Sequence, residues 1–116
     1  MIDWSVTSEL LNDIGAEDFA EVVEIFLADA DRMVEGLRHG DTLEAQLHEL
    51  KGAALAIGLR ALAMLCQRSE DMAAAGLGHM VDLTHVSQCY RLSRDAFLDR
   101  LPDRLGLSVR SGIRQG

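Results

Sequence analysis

The segment QLHELKGAALAIG, residues 46–58, decides the fold and raises the question of function at the same time. Leu47, Leu50, Ala54 and Ile57, joined upstream by Leu43, recur at intervals of three and four, which is the repeat of a helix with one apolar stripe. With His48 set at zero and about 100° per residue, the five stripe positions centre at about 220°, so the imidazole points away from the core. Glu44 and Lys51 lie on one flank of His48 and Gly52 on the other, with Leu55 and Leu59 nearly above it on the side expected to face solvent. A glycine inside a helix costs about 1 kcal/mol relative to alanine, and a purely solvated face would carry Lys, Glu or Gln instead. Something other than helix stability holds Gly52 in place.

Working outward, the same period recurs on both sides. Phe19, Val22, Val23, Phe26, Ala30, Met33, Val34 and Leu37 define a helix over residues 16–38 that ends near Gly40. Asp41 followed by Glu44 reads as a capping box for the helix that carries His48, and Gly58 closes that helix. Leu62, Leu65, Cys66, Ser69, Met72 and Ala73 form the next stripe, broken by Gly76 and Gly78. Asp82 or Thr84 then opens a last helix with Val86, Cys89, Tyr90, Ser93, Phe97 and Leu101 inward, halted by Pro102. A short helix from a Thr7 cap to Ile14, with Val6 and Leu11 as a hydrophobic staple, precedes them. One stripe per helix and short connections predict an all-α fold: an antiparallel up-down four-helix bundle over residues 1–101, with the short N-terminal helix as a lid. Residues 102–116, rich in Gly, Ser and Arg, read as a flexible tail.

Composition agrees. The 116 residues are 48% hydrophobic but only 4% aromatic, with a single proline, which favours packed helices over sheets. A chain of this length makes one domain, which buries about 65% of its unfolded surface. The net charge of −8 understates the acidity of the body, because Arg104, Arg110 and Arg114 against Asp103 give the tail +2 and leave −10 on the rest. Such a surface repels nucleic acid and anionic lipid and points to protein partners. Cys66 and Cys89 both sit in apolar helical patterns without a CxxC motif, as reduced core thiols in a cytoplasmic protein would. The N-terminus lacks a basic start and an apolar run, so neither a leader nor an anchor is expected, and a monomer is the default.

The physical reading of the anomaly is access. Removing the side chain one turn from His48 clears a path for another protein's active site, while Leu55 and Leu59 offer apolar docking surface. A neutral imidazole is a nucleophile near physiological pH, and a phosphoryl group arriving on it would be stabilised by Lys51. The run His48-Glu49-Leu50-Lys51-Gly52, followed by Gly58, resembles the H-x-x-K-G…G signature of histidine phosphotransfer (HPt) domains, and the helix pattern resembles that family over residues 7 to 101. The resemblance implies that His48 is the phosphoacceptor, Lys51 its charge partner, Gly52 the clearance residue and Gly58 the turn after the helix. Ala53 and Ala54 stand where many members of the family carry Ser or Thr.

The resemblance further implies a carrier, not an enzyme. It would take phosphate from the aspartate of one response-regulator receiver domain and pass it to another, with a hybrid sensor histidine kinase upstream. It would need no cofactor of its own, Mg²⁺ being supplied by the receiver. No GxxxxGK[ST] or GxGxxG loop is present for nucleotide binding. A metal centre is not expected either, because Glu44 precedes His48 by four positions and faces outward, and no HExxH is formed. His39, His79 and His85 read as ordinary surface residues at a helix end, a glycine loop and a first turn. The competing reading is a helical adaptor that binds a signalling partner through the same face without phosphate, and for which His48 is dispensable.

Overall fold

The computed structural model describes residues 1–106 and contains five α-helices: α1 (Trp4–Ile14), α2 (Ala16–Glu35), α3 (Leu43–Ile57), α4 (Arg60–Ala74) and α5 (Leu83–Leu105). A single 3-10 turn, Gly78–Met80, links α4 to α5, and there is no strand among the described residues. α2 packs on α3, α3 on α4, α4 on α5 and α5 back on α2, which closes a ring around one core, and α1 sits across α2 and α3.

The core follows the stripes. Phe19, Val23, Leu27 and Ala30 of α2, Leu43, Leu47, Leu50, Ala54 and Ile57 of α3, Leu62, Leu65 and Cys66 of α4, and Val86, Tyr90, Phe97 and Leu101 of α5 are all buried. Val22, Phe26, Met33 and Val34 pack only partly, at the margin of the α2 stripe, and Leu27 takes the central place. Cys66 is buried and desolvation pushes its thiol up to about 12, as expected of an inert core cysteine. Cys89 is only half-buried.

Helix ends depart from expectation where tertiary contacts outweigh local chemistry. Asp3, not Thr7, caps α1, its carboxylate accepting from the Ser5 amide at 3.2 Å. Thr7 lies inside the helix, fully buried, and its hydroxyl donates to the Ile57 carbonyl at 2.8 Å. α2 stops at Glu35, and α3 starts after Thr42 with no side-chain cap, so Asp41 does not form the anticipated box. Gln46 fastens that loop instead, donating to Gly36 O at 2.8 Å and accepting from the Arg38 amide at 3.2 Å. Asp82 caps α5, accepting from the His85 amide at 3.1 Å.

Pro102 does not halt α5, which runs on to Leu105. An internal proline costs a helix about 3 kcal/mol, so something must hold the last turn. Leu101 and Pro102 are buried, Trp4 stacks on Phe97 with ring centroids 5.6 Å apart, and the Arg104 guanidinium lies 5.5 Å from the centre of the Trp4 ring. The first residues of the anticipated tail are therefore helical, and residues 107–116 lie outside the described residues. Across the ring, the Tyr90 hydroxyl sits 2.5 Å from Asp31 Oδ1 and 3.1 Å from Leu27 O, tying α5 to α2.

Candidate functional site

The period of α3 alone carries His48 to the surface, and its side chain is 67% exposed. Lys51 and Gly52 follow within one turn. What the helix cannot supply by itself comes from α4, whose residues Gln67, Glu70 and Asp71 run along the margin where the two helices pack.

His48 Nδ1 lies 2.9 Å from Glu70 Oε2. Glu70 Oε1 in turn lies 2.9 Å from Lys51 Nζ, and both of those side chains are largely shielded, at 15% and 17% exposure. The Glu70 carboxyl is held below its ordinary range chiefly by Lys51, with burial opposing and His48 adding to the effect. An ionised carboxylate only accepts hydrogen bonds, so the proton on the neutral ring resides on Nδ1. The lone pair is then on Nε2, which has no hydrogen-bond partner among the described residues. One imidazole nitrogen is anchored and the other carries an unengaged lone pair among the described residues.

Gly52 is exposed, and a Cβ built on it would meet nothing within 4 Å. No packing requirement among the described residues explains this glycine. Gly58 has a different reason. Its φ of +94° lies in the left-handed region, and a Cβ there would stand 2.5 Å from Asp3 O and 2.9 Å from Thr7 Oγ1. The second glycine of the motif is therefore a contact between the end of α3 and the start of α1, sealed by the Asp3 amide donating to Gly58 O at 2.8 Å.

The remaining site residues divide. Glu44 is exposed one turn before His48 and makes no hydrogen bond or ion pair among the described residues. Leu55 is 54% exposed on the His48 face and lines a small pocket with Val6, Gly58 and Arg60. Leu59 is not on that face: it is 1% exposed and belongs to the core. The helical wheel carried it outward because it assumed that α3 continues, but the chain reverses at Gly58 and turns Leu59 inward as the first residue before α4. On α4, Met64 is a further exposed apolar side chain, at 44%. Lys51 does not stand free beside the ring, since Gln67 and Glu70 hold it.

Of the other histidines, His39 donates from Nε2 to the Val81 carbonyl at 2.9 Å, while His79 lies in the 3-10 turn and His85 in the first turn of α5. Only His48 pairs with a carboxylate among the described residues. The same residues hold no cluster of three or more His, Cys, Asp or Glu side chains suited to a metal ion, and no helix among them is long and apolar enough to cross a membrane.

Glu70 and Gln67 are the site residues that the sequence did not disclose. Their only signal is a polar run, Gln67 to Asp71, bordering the apolar stripe of α4.

The sequence model of the Hpt domain matches residues 21–106, which takes in most of α2 and all of α3, α4 and α5 and leaves α1 outside. Comparison with curated proteins and with solved structures found no significant match. Hpt domains act in histidine phosphotransfer in the phosphorelays of two-component signalling, as phosphoryl carriers that work with receiver domains and kinases. With the helical ring and the greater part of the chain inside that match, this protein belongs to the Hpt domain family.

Proposed function

We propose that the chain accepts a phosphoryl group on His48 Nε2 from the aspartyl phosphate of one receiver domain and returns it to the aspartate of another. The observation that carries this reading is the pairing of Nδ1 with Glu70 beside the open space over Gly52. In the forward step the Nε2 lone pair attacks phosphorus, the Nε2–P bond forms, and the P–O bond to the receiver's aspartate breaks with the electron pair leaving on the carboxylate. The ring gains positive charge as this happens, and the adjacent Glu70 carboxylate stabilises it. The reverse sequence delivers the group onward. Mg²⁺ belongs to the receiver, and this chain contributes the nucleophile and the surface that orients it.

Glu44, Gly52 and Leu55 form the docking face in this reading, with Gly52 giving the receiver's active site room to approach. Lys51 is engaged with Glu70 and Gln67 in the unphosphorylated chain, and would meet the phosphoryl group by leaving them. The four-helix ring is read as an up-down antiparallel bundle, and the protein as a monomeric cytoplasmic carrier with a hybrid sensor histidine kinase upstream. Incubation with a phosphorylated receiver tests the reading: label should move to this chain as an acid-labile, alkali-stable adduct and be missing from His48→Gln.

The exposed Leu55 and Met64 also fit an adaptor that docks a signalling partner without taking phosphate. The two readings separate on His48→Gln in the cell, where the adaptor keeps its function and the carrier loses it.

A further inference from the structure

We infer that Gln67 is a positioning residue for phosphoryl uptake, holding the Lys51 ammonium over Glu70 and thereby fixing how much negative charge meets the Nδ1 side of His48. The inference rests on the assignment of His48 as phosphoacceptor and adds a residue outside the H-x-x-K-G run.

The geometry points to Gln67 through the way Lys51 is held. Glu70 Oε1 is buried and receives no well-directed hydrogen bond, although Lys51 Nζ is 2.9 Å away. The directed bond of that ammonium goes to Gln67 Oε1 at 2.7 Å. Gln67 is itself fixed, because its amide nitrogen donates to Asp71 Oδ1 at 2.8 Å, one turn along α4. The lysine therefore compensates Glu70 by charge and is steered there by Gln67. A lysine ammonium on a four-carbon stem has no preferred direction of its own, so the acceptor that it bonds decides where its charge sits.

The consequence falls on the ring. Glu70 presents its negative charge to Nδ1 of His48, and Lys51 offsets that charge from the other carboxylate oxygen. The charged groups placed around the imidazole are Glu44 and Lys51 on α3 and Glu70 on α4, with Asp71 reached through Gln67. No ionisable group of α1 or α2 bonds to the ring among the described residues. With Lys51 less firmly directed, Glu70 is less compensated and presents more negative charge to Nδ1 of His48.

The test is a nitrogen-resolved NMR titration of the His48 ring in the full chain, paired with the pH profile of phosphoryl uptake from a phosphorylated receiver. Gln67 is exposed on a helix and methionine is a good helix former, so Gln67→Met should fold. In Gln67→Met the ring midpoint should rise relative to the unaltered chain, the acidic limb of uptake should rise with it, and the alkaline plateau should hold. Lys51→Met should shift the midpoint in the same direction, and the double variant should shift it no further than Lys51→Met alone. An unchanged or lowered midpoint, or additive shifts, would overturn the role of Gln67. Failure of the unaltered chain to take up phosphate would instead count against the proposed function, while the ring titration would still decide the question of Gln67.

Discussion

The carbonyl oxygen of Asp3 stands 2.5 Å from the point that a Cβ on Gly58 would occupy. The turn between α3 and α4 is thus built against the N-terminal helix, which lies outside the matched part of the chain. Gly58→Ala must either push α1 away, losing the Thr7–Ile57 and Asp3–Gly58 hydrogen bonds, or strain a left-handed backbone. The expected loss is about 2–4 kcal/mol, measured as a lower midpoint in urea denaturation.

Gly52 should behave in the opposite way. Space is open around it, so Gly52→Ala should stabilise the chain by up to about 1 kcal/mol through helix propensity alone. Gly52→Gln should fold as well as Gly52→Ala yet slow phosphotransfer by roughly tenfold or more, corresponding to about 1.4 kcal/mol of hindered approach. Stopped-flow transfer rates beside urea curves separate the two effects, and a parallel fall in both would show that the glycine serves packing.

Tyr90 links α5 to α2 by its hydroxyl, and its ionisation is pushed up by burial first and by Asp31 second. Tyr90→Phe keeps the ring and deletes the donor, leaving Leu27 O and Asp31 Oδ1 without it. A destabilisation of about 1–2 kcal/mol is expected, read as a lower Tm.

Acid should loosen the site in a defined window. Because the folded-state value of Glu70 is depressed from its ordinary 4.5, its contribution is complete above that value and disappears as pH falls through the depressed one. Unfolding free energy of the unaltered chain should therefore fall more steeply than that of Glu70→Gln as pH drops through and below 4.5. Equal slopes would mean that the carboxylate is no better held in the folded chain than in the unfolded one.

The sequence disclosed what depends on period and little that depends on register between helices. Leu43, Leu47, Leu50, Ala54 and Ile57 were readable because a stripe needs only spacing, and the outward placement of His48 follows from the same spacing. Leu59 was misread because its direction depends on where α3 ends, and that is set by the approach of α1 to Gly58. Thr7 looked like a cap because threonine is one by preference, while Asp3 with Ser5 made the cap and Thr7 went to the Ile57 carbonyl. Pro102 looked like a stop, and the stacking of Trp4 on Phe97 with Arg104 over it carries the helix past it. Glu70 lies 22 positions from His48, and only the packing of α3 on α4 brings the two together.

The proposed transfer depends on which imidazole nitrogen receives the phosphoryl group. After incubation with a phosphorylated receiver, NMR of the nitrogen-labelled chain should show the phosphoryl group on Nε2 of His48, with Nδ1 still protonated toward Glu70. A phosphoryl group on Nδ1 of His48, or on His39, His79 or His85, would contradict it.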